Sequence, residues 1–243
     1  MRQPLLATVT LAALAAAGLC RAQPPEMLLS NERLQVRLLV LEAGAATPVH
    51  THDHDHLSVT LGGGEIADVA PDGTERRLTL ADGALRFVPP GITHTLRNAG
   101  DATFRAVTID LLAPQHGARN LCATAVPGQP TDCPEKAATA SAKKKGGALV
   151  PQMETDQTFV SLLTMAPGIS HEFKPAASSP LVVALQGTKA TAIVELALPG
   201  GAVGRGERPL TGGDALCPPS QMGVTLRNTG ATAARFLVVE ARQ

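Results

Sequence analysis

The sequence predicts an all-β chain built as two tandem units, and three observations carry that expectation. Residues 34–38, 57–61, 77–80 and 104–109 alternate apolar and polar side chains with period two, the mark of half-buried strands. Clusters of turn residues bound these segments, at Gly62 to Gly64, Pro71 to Gly73, Ala81 to Gly83 and Asn98 to Gly100. A long stretch of the chain then returns at a fixed distance. No helical periodicity exceeds two turns beyond the first residues. Many short strands at this spacing indicate a sandwich or a barrel.

Composition narrows the function classes. With no Trp, no Tyr and only 5 Phe, the core has to come from Leu, Val, Ile and Ala. Lys plus Arg equals Asp plus Glu, at 21 each, so no strong field favours nucleic acid or an anionic membrane. The expected partners are a small-molecule substrate or ligand and, as one option, a second copy in a homodimer.

The chain opens on an export signal. Arg2 supplies a positive start, residues 5–19 are mostly apolar, and Cys20 and Ala22 offer small residues where signal peptidase reads. The predicted signal peptide spans residues 1–22, giving a secreted or periplasmic protein. Leu19 argues against lipidation of Cys20. No later segment is apolar enough for a membrane span. Cys122 and Cys133 flank a loop rich in Pro and Gly, and in an oxidising compartment they can close it as a disulfide. Cys217 then remains as a core thiol in an apolar strand.

Chemistry concentrates in one place. His50, His52, His54 and His56 occupy alternate positions, so His50 and His52 point the same way if they lie on a strand. His94 follows Pro89-Pro90-Gly91, a turn by composition, and can reach the same interior from another strand. Convergent imidazoles with an open position make a Lewis-acidic or oxygen-activating metal site. His54 falls in the turn after the first pair. It either substitutes for His56 or stays solvated.

The repeat fixes the domain organisation. Gly83 and Gly213, Pro89 and Pro219, and Asn98 and Asn228 are each 130 residues apart, in matching contexts. Leu38 to Gly44 matches Leu162 to Gly168 at a slightly shorter distance, which implies a small insertion. The expected domains are 23–114 and 150–243, joined by a loop and linker over 115–149 that includes the Lys143 to Lys145 run. At the positions of His50, His52, His56 and His94 the second copy carries Lys174, Ala176, Pro180 and Val224, and Gln221 replaces Gly91. It keeps the turn residues but not the imidazoles, so it is expected to bury one face of the first copy. His171 is nearby but off register and is expected at the surface.

These motifs resemble the cupin superfamily. Gly44, His50, His52 and Gly63 fit its first motif, with His56 where a glutamate is expected. Gly83, Pro89, Gly91, His94 and Asn98 fit every position of its second. The resemblance implies a bicupin, two double-stranded β-helix (jelly-roll-like) barrels in tandem, one metal-competent and one degenerate. It further implies His50, His52, His56 and His94 as ligands of one divalent transition metal ion: Fe, Ni, Cu or Zn, and less readily Mn.

Four neutral imidazoles would leave a divalent ion its full charge, favouring an anionic substrate such as an enolate. Where related flavonol-cleaving oxygenases use a glutamate base, His56 is a poor substitute while bound to metal. Asp53 and Asp55 are candidates for orienting the rings, although they also suit a solvated turn. Ser58 and Thr60 share the parity of His56 and are expected to line the pocket. Bound imidazoles must be neutral, so metal affinity is expected to fall below about pH 6. The expected function is a metal-dependent enzyme, dioxygenase-like on an enolisable molecule, with decarboxylation or isomerisation compatible. The alternative is a non-catalytic protein that binds metal or a small ligand.

Overall fold

The computed structural model describes residues 24–121, 147–174, 179–197 and 203–242. The signal peptide, the Cys122–Cys133 pairing, the Lys143 to Lys145 run and Ala176 lie outside the described residues. Within them every regular element is a strand, and none is a helix long and apolar enough to cross a membrane.

The first unit comprises β1 (Glu26–Ser30), β2 (Leu34–Leu41), β3 (His50–Thr51), β4 (Asp55–Leu61), β5 (Gly64–Val69), β6 (Glu75–Leu80), β7 (Leu85–Val88), β8 (Thr93–Asn98) and β9 (Phe104–Leu111). They form two sheets, ordered β1-β2-β9-β4-β7 and β3-β8-β5-β6. The second unit runs from β10 (Ala118–Asn120) through β11 (Ala148–Thr155), β12 (Thr158–Met165), β13 (Ser170–Phe173), β14 (Leu181–Ala184), β15 (Lys189–Ala197), β16 (Val203–Thr211), β17 (Ala215–Leu216), β18 (Gly223–Asn228) and β19 (Ala234–Ala241). Its sheets are ordered β10-β11-β12-β19-β14-β17 and β13-β18-β15-β16. Apart from the added β10, the two orders are identical, so the duplication read from the sequence is a duplication of topology. All strand pairs are antiparallel.

One boundary differs from expectation, and the expected insertion finds its place. Residues 118–120, assigned to the linker, pair with β11 and extend the second barrel's sheet. The insertion between the repeats lies in the β15–β16 hairpin, whose strands have 9 residues each against 6 in β5 and β6.

Period-two alternation explains where the cores lie. On β2, β4 and β9 one parity carries Val36, Leu57, Val59, Leu61, Val107, Ile109 and Leu111, which leave the barrel and pack against Met153, Val160, Leu181, Val183, Leu237 and Val239 of the second unit. The second copy thus buries one face of the first, as expected. The opposite parity faces the first barrel's interior, where Leu39, Leu41, Phe104 and Ala106 meet Ile66, Leu80 and Leu96 across the sheets. Cys217 lies just past β17, half-buried against the inter-barrel core rather than within a strand.

The interface repeats the internal symmetry. A Cβ on Gly83 would meet Leu185 Cδ1 at 2.8 Å and Arg235 Nη2 at 3.2 Å; one on Gly213 would meet Arg105 Nη2 at 2.8 Å and Leu61 Cδ1 at 3.4 Å. Both glycines have positive φ, 78° and 102°, so only glycine satisfies the backbone and the close approach together. Asn98 and Asn228 are retained for an equally local reason. Each donates two side-chain hydrogen bonds, to Leu41 and Ala102 or to Met165 and Thr232, and each accepts one from the glycine two residues on.

Candidate metal centre

His50 is brought to the site by strand pairing. β3 lies antiparallel to β8 with His50 directly opposite His94. Upstream, Ala46 bridges Arg97, so three residues (47–49) face two (95 and 96). This one-residue bulge contains Pro48, which has no N–H to give a ladder. The Pro48 carbonyl then accepts a hydrogen bond from His50 Nδ1 at 3.0 Å.

The second copy has no bulge: Ser170 to Phe173 pair continuously with Arg227 to Val224. Phe173, not Lys174, is therefore the counterpart of His50. Nothing in the spacing alone shows a bulge, which is why the sequence alignment is off by one.

His52 lies just beyond the two residues of β3, so the shared strand expected for His50 and His52 is shorter than the pattern suggests. Its position comes from the Pro-Pro-Gly turn instead. His52 N donates to Ile92 O at 3.1 Å, and Gly91 N donates to His52 O at 2.8 Å. Gly91, at φ 83°, supplies a conformation that other residues adopt at a cost.

The imidazoles converge. Ring centroids lie 4.7 Å apart for His50 and His94, 5.0 Å for His52 and His94, 5.1 Å for His50 and His52, and 4.3 Å for His52 and His56. His52 Nε2 and His94 Nε2 are 3.0 Å apart. Two ligands at right angles with ~2.1 Å bonds would place their nitrogens about 3.0 Å apart, so the pair fits a shared transition metal. His50, His52 and His94 each offer a nitrogen within 4.8 Å of the other two; His56 forms a second such group with His52 and Asp110. His54 is exposed in the turn.

Carboxylates fix the rings. His94 Nδ1 donates to Asp68 Oδ1 at 2.5 Å, and Arg86 Nη2 donates to Asp68 Oδ2 at 2.8 Å. His56 Nδ1 donates to Asp110 Oδ1 at 2.7 Å, and Arg37 pairs with the other oxygen. With Nδ1 engaged on His50, His56 and His94, the lone pair of each neutral ring sits on Nε2, the tautomer a metal ligand needs.

Asp53 and Asp55 do not orient the rings. Asp53 is exposed, and Asp55 is buried but accepts from Gln115 N at 3.0 Å. The partners are Asp68 and Asp110, lone acids in the otherwise apolar runs Ile66 to Val69 and Ile109 to Leu111. That isolation was the one available signal.

The electrostatics favour neutral rings at His50 and His52 and charged carboxylates at Asp68 and Asp110. Burial lowers the pKa of His50 against its Pro48 hydrogen bond, and neighbouring rings lower it further. Burial, with repulsion from His56, His94 and His50, takes His52 down to about 3. Asp68 is pushed up by burial but held at about 2 by His94 and Arg86. Asp110 is held at about 2 by His56 and Arg37 against the same burial.

The site opens into a cavity of about 810 Å³, walled by Pro24, Leu39, Val88 and Leu96 as well as the histidines, Arg37 and Asp110. Ser58 lines it; Thr60 is buried deeper and does not.

The second barrel has filled the equivalent space. By the paired registers, Asp68, Arg86, His94 and Ser58 correspond to Ala192, Leu216, Val224 and Val182, all in its apolar core with Phe173 packed against them. His56 corresponds to Pro180, as expected. His171 is half-buried with its ring 4.7 Å from that of Phe173, rather than at the surface. Among the described residues, the groups able to hold a metal all lie in the first barrel.

Residues 37–110 match a family model described as a cupin domain. No curated protein matches the chain. Among solved structures, AerE from Microcystis aeruginosa is similar with a TM-score of 0.59 at 12% identity, covering 91% of this chain and 99% of that one. Bacillus subtilis oxalate decarboxylase, in a study of its Mn(II) centres, gives 0.56 at 15% identity, covering 86% of this chain and 69% of that one. A cupin domain from Bordetella pertussis Tohama I is 28% identical, covering 38% of this chain and 94% of that one, with a TM-score of 0.36.

Proposed function

The chain belongs to the cupin superfamily, and from that premise we propose that it is a metal-dependent enzyme acting on a small organic anion inside the first barrel. One observation carries this reading: His50, His52 and His94 each offer a ring nitrogen within 4.8 Å of the other two, while Pro48, Asp68 and Asp110 hold Nδ1 of His50, His94 and the adjacent His56. His50, His52 and His94 would hold a divalent ion; His56, which groups with His52 and Asp110 rather than with all three, would join as the fourth donor by a shift of its side chain toward them. Held by neutral imidazoles, such an ion would supply an uncompensated positive charge and a Lewis-acidic, oxygen-activating centre.

The protein groups define what is admitted. Arg37 and Arg86 are already paired with Asp110 and Asp68, so neither offers a free charge to a substrate. A cavity of about 810 Å³ falls within the roughly 300–1,000 Å³ of pockets for drug-sized ligands. It is far larger than a two-carbon diacid requires, and Leu39, Val88, Leu96 and Pro24 give it apolar walls. These features support a substrate with an apolar body and one enolisable, chelating end, and hence dioxygenase-like cleavage over oxalate decarboxylation.

The test is metal analysis of untagged protein, then oxygen uptake with β-diketones, flavonols and keto acids. One metal per chain with oxygen consumed on a member of the panel is the expected result. A second reading, a non-catalytic binder, draws on the pairing of Asp68 with Arg86 and of Asp110 with Arg37, which leaves the exposed Asp53 as the unpaired carboxylate among the described residues lining the cavity. Stoichiometric metal without turnover would favour it. Export is part of the proposal, supported by the positive start and apolar run of residues 1–22; N-terminal sequencing of protein recovered outside the cytoplasm would begin at Gln23.

A further inference from the structure

The loop that carries the histidines is anchored at both ends. At its start, Gly91 and Ile92 hold the His52 backbone. At its end, Asp55 is only 5% exposed, and its Oδ2 accepts a hydrogen bond from Gln115 N at 3.0 Å. Asp55 sits between His54 and His56, so the position of Gln115 bears on where β4 begins.

What holds Gln115 belongs to the other barrel. Its Oε1 accepts hydrogen bonds from Thr158 Oγ1 at 3.1 Å and from Thr155 Oγ1. Both threonines are buried, at the turn between β11 and β12. Thr155 Oγ1 also accepts from Thr158 N at 2.8 Å, which locks the turn. The next residue repeats the grip, with His116 N and Nδ1 both bonded to the Asp156 carboxylate, at 2.9 and 2.5 Å. A buried polar chain of this kind costs stability unless every member is satisfied, and here each bond is made in a fixed direction.

We propose that the second barrel, which lacks the histidines, positions the metal loop of the first through the strut Thr155/Thr158–Gln115–Asp55. Gln115 is a positioning residue in this scheme: it touches neither metal nor substrate, and it sets the end of the loop from which His56 departs. The duplicated barrel therefore does more than cover an apolar face. The strut rests on the metal reading of the site, but its structural half can be read without metal.

The experiment compares wild type with Gln115→Met, which removes the shared acceptor and keeps the backbone N–H to Asp55. Thr158→Val serves as a second variant if the first does not fold. Asp82→Asn is the control: it weakens the Arg235 contact between the barrels, near the far end of β4. Two quantities are measured: zinc affinity by chelator competition, and the His56 Nδ1–H resonance in the metal-free protein. Gln115→Met should weaken zinc about tenfold and shift or broaden the His56 resonance, while Asp82→Asn changes neither at equal or greater loss of Tm. Wild-type values of both quantities in Gln115→Met and Thr158→Val would overturn the proposal. If wild type takes up no zinc, the metal reading fails on its own, and the His56 resonance alone decides the strut.

Discussion

Replacing Asp68 by alanine tests the site in two independent ways, because the second barrel shows what a paired replacement looks like. Asp68 accepts from His94 at 2.5 Å and from Arg86 at 2.8 Å, and the Arg86 side chain is only 10% exposed. Asp68→Ala strands that guanidinium in a low-dielectric interior, and removing one partner of such a pair costs roughly 3–5 kcal/mol. The second barrel carries Ala192 and Leu216 at the equivalent positions, both within its core. Asp68→Ala combined with Arg86→Leu copies that solution, and exchanging a buried pair for apolar side chains is typically neutral or stabilising by about 1–4 kcal/mol.

Stability should therefore return to within about 1 kcal/mol of wild type in the double variant. Metal binding should not return, because His94 still lacks its Nδ1 acceptor. Loss of such a partner weakens affinity about 10–100-fold, or roughly 1.4–2.7 kcal/mol. The assay is urea unfolding of metal-free protein, since bound metal adds its own stabilisation, followed by metal titration against a chelator. A double variant as unstable as the single one, or one binding metal as tightly as wild type, would refute the assignment of Asp68 as the group that orients His94.

Three further outcomes are expected. His50→Ala, His52→Ala and His94→Ala should each lose bound metal, whereas His54→Ala, at an exposed position, should retain it; equal loss in all four would point to a loose histidine tract. Acidification should destabilise the metal-free protein. The unfolded chain takes up protons at about pH 6.5 that folded His50 and His52 resist, so this stability is present above 6.5 and lost as pH falls toward the His52 value of about 3. Asp68 and Asp110 add a loss of the same sign between about 3.9 and about 2. His116, raised by Asp156, acts in the opposite sense, but from the surface where solvent screens the pair. For His50 and His52, proton competition for metal moves below the value of about 6 expected from an unperturbed imidazole. A metal-free Tm that is flat or rising from pH 6.5 to 4.5 would contradict this account. Gly83→Ala combines positive φ with a 2.8 Å clash on Leu185 and should cost about 2–4 kcal/mol. Gly73→Ala, at φ 85° in open space, should cost only about 1 kcal/mol. Equal losses in urea unfolding would remove the inter-barrel packing argument.

Local pattern carried a large part of this protein. Alternation along residues 34–38, 57–61 and 104–109 marked strands because a strand sends successive side chains to opposite faces, and the turn residues marked where those strands stop. The repeated Gly, Pro and Asn positions showed the duplication, and the two cupin-like motifs singled out His50, His52, His56 and His94. These are all features within a few residues of one another, or copies of such features.

Folding alone decided what joins distant segments. Asp68 is 26 residues from His94, and Asp110 is 54 from His56; only the sheet order β3-β8-β5 and the β4–β9 register bring each pair together. The Pro48 bulge displaced the alignment of the copies by one residue, because a bulge is set by hydrogen bonding to the partner strand and leaves period-two patterning intact on either side. The inter-barrel grip of Thr155 and Thr158 on Gln115 was equally invisible. A polar residue in a loop looks the same in sequence whether it meets water or a buried partner, and only the packed chain distinguishes the two.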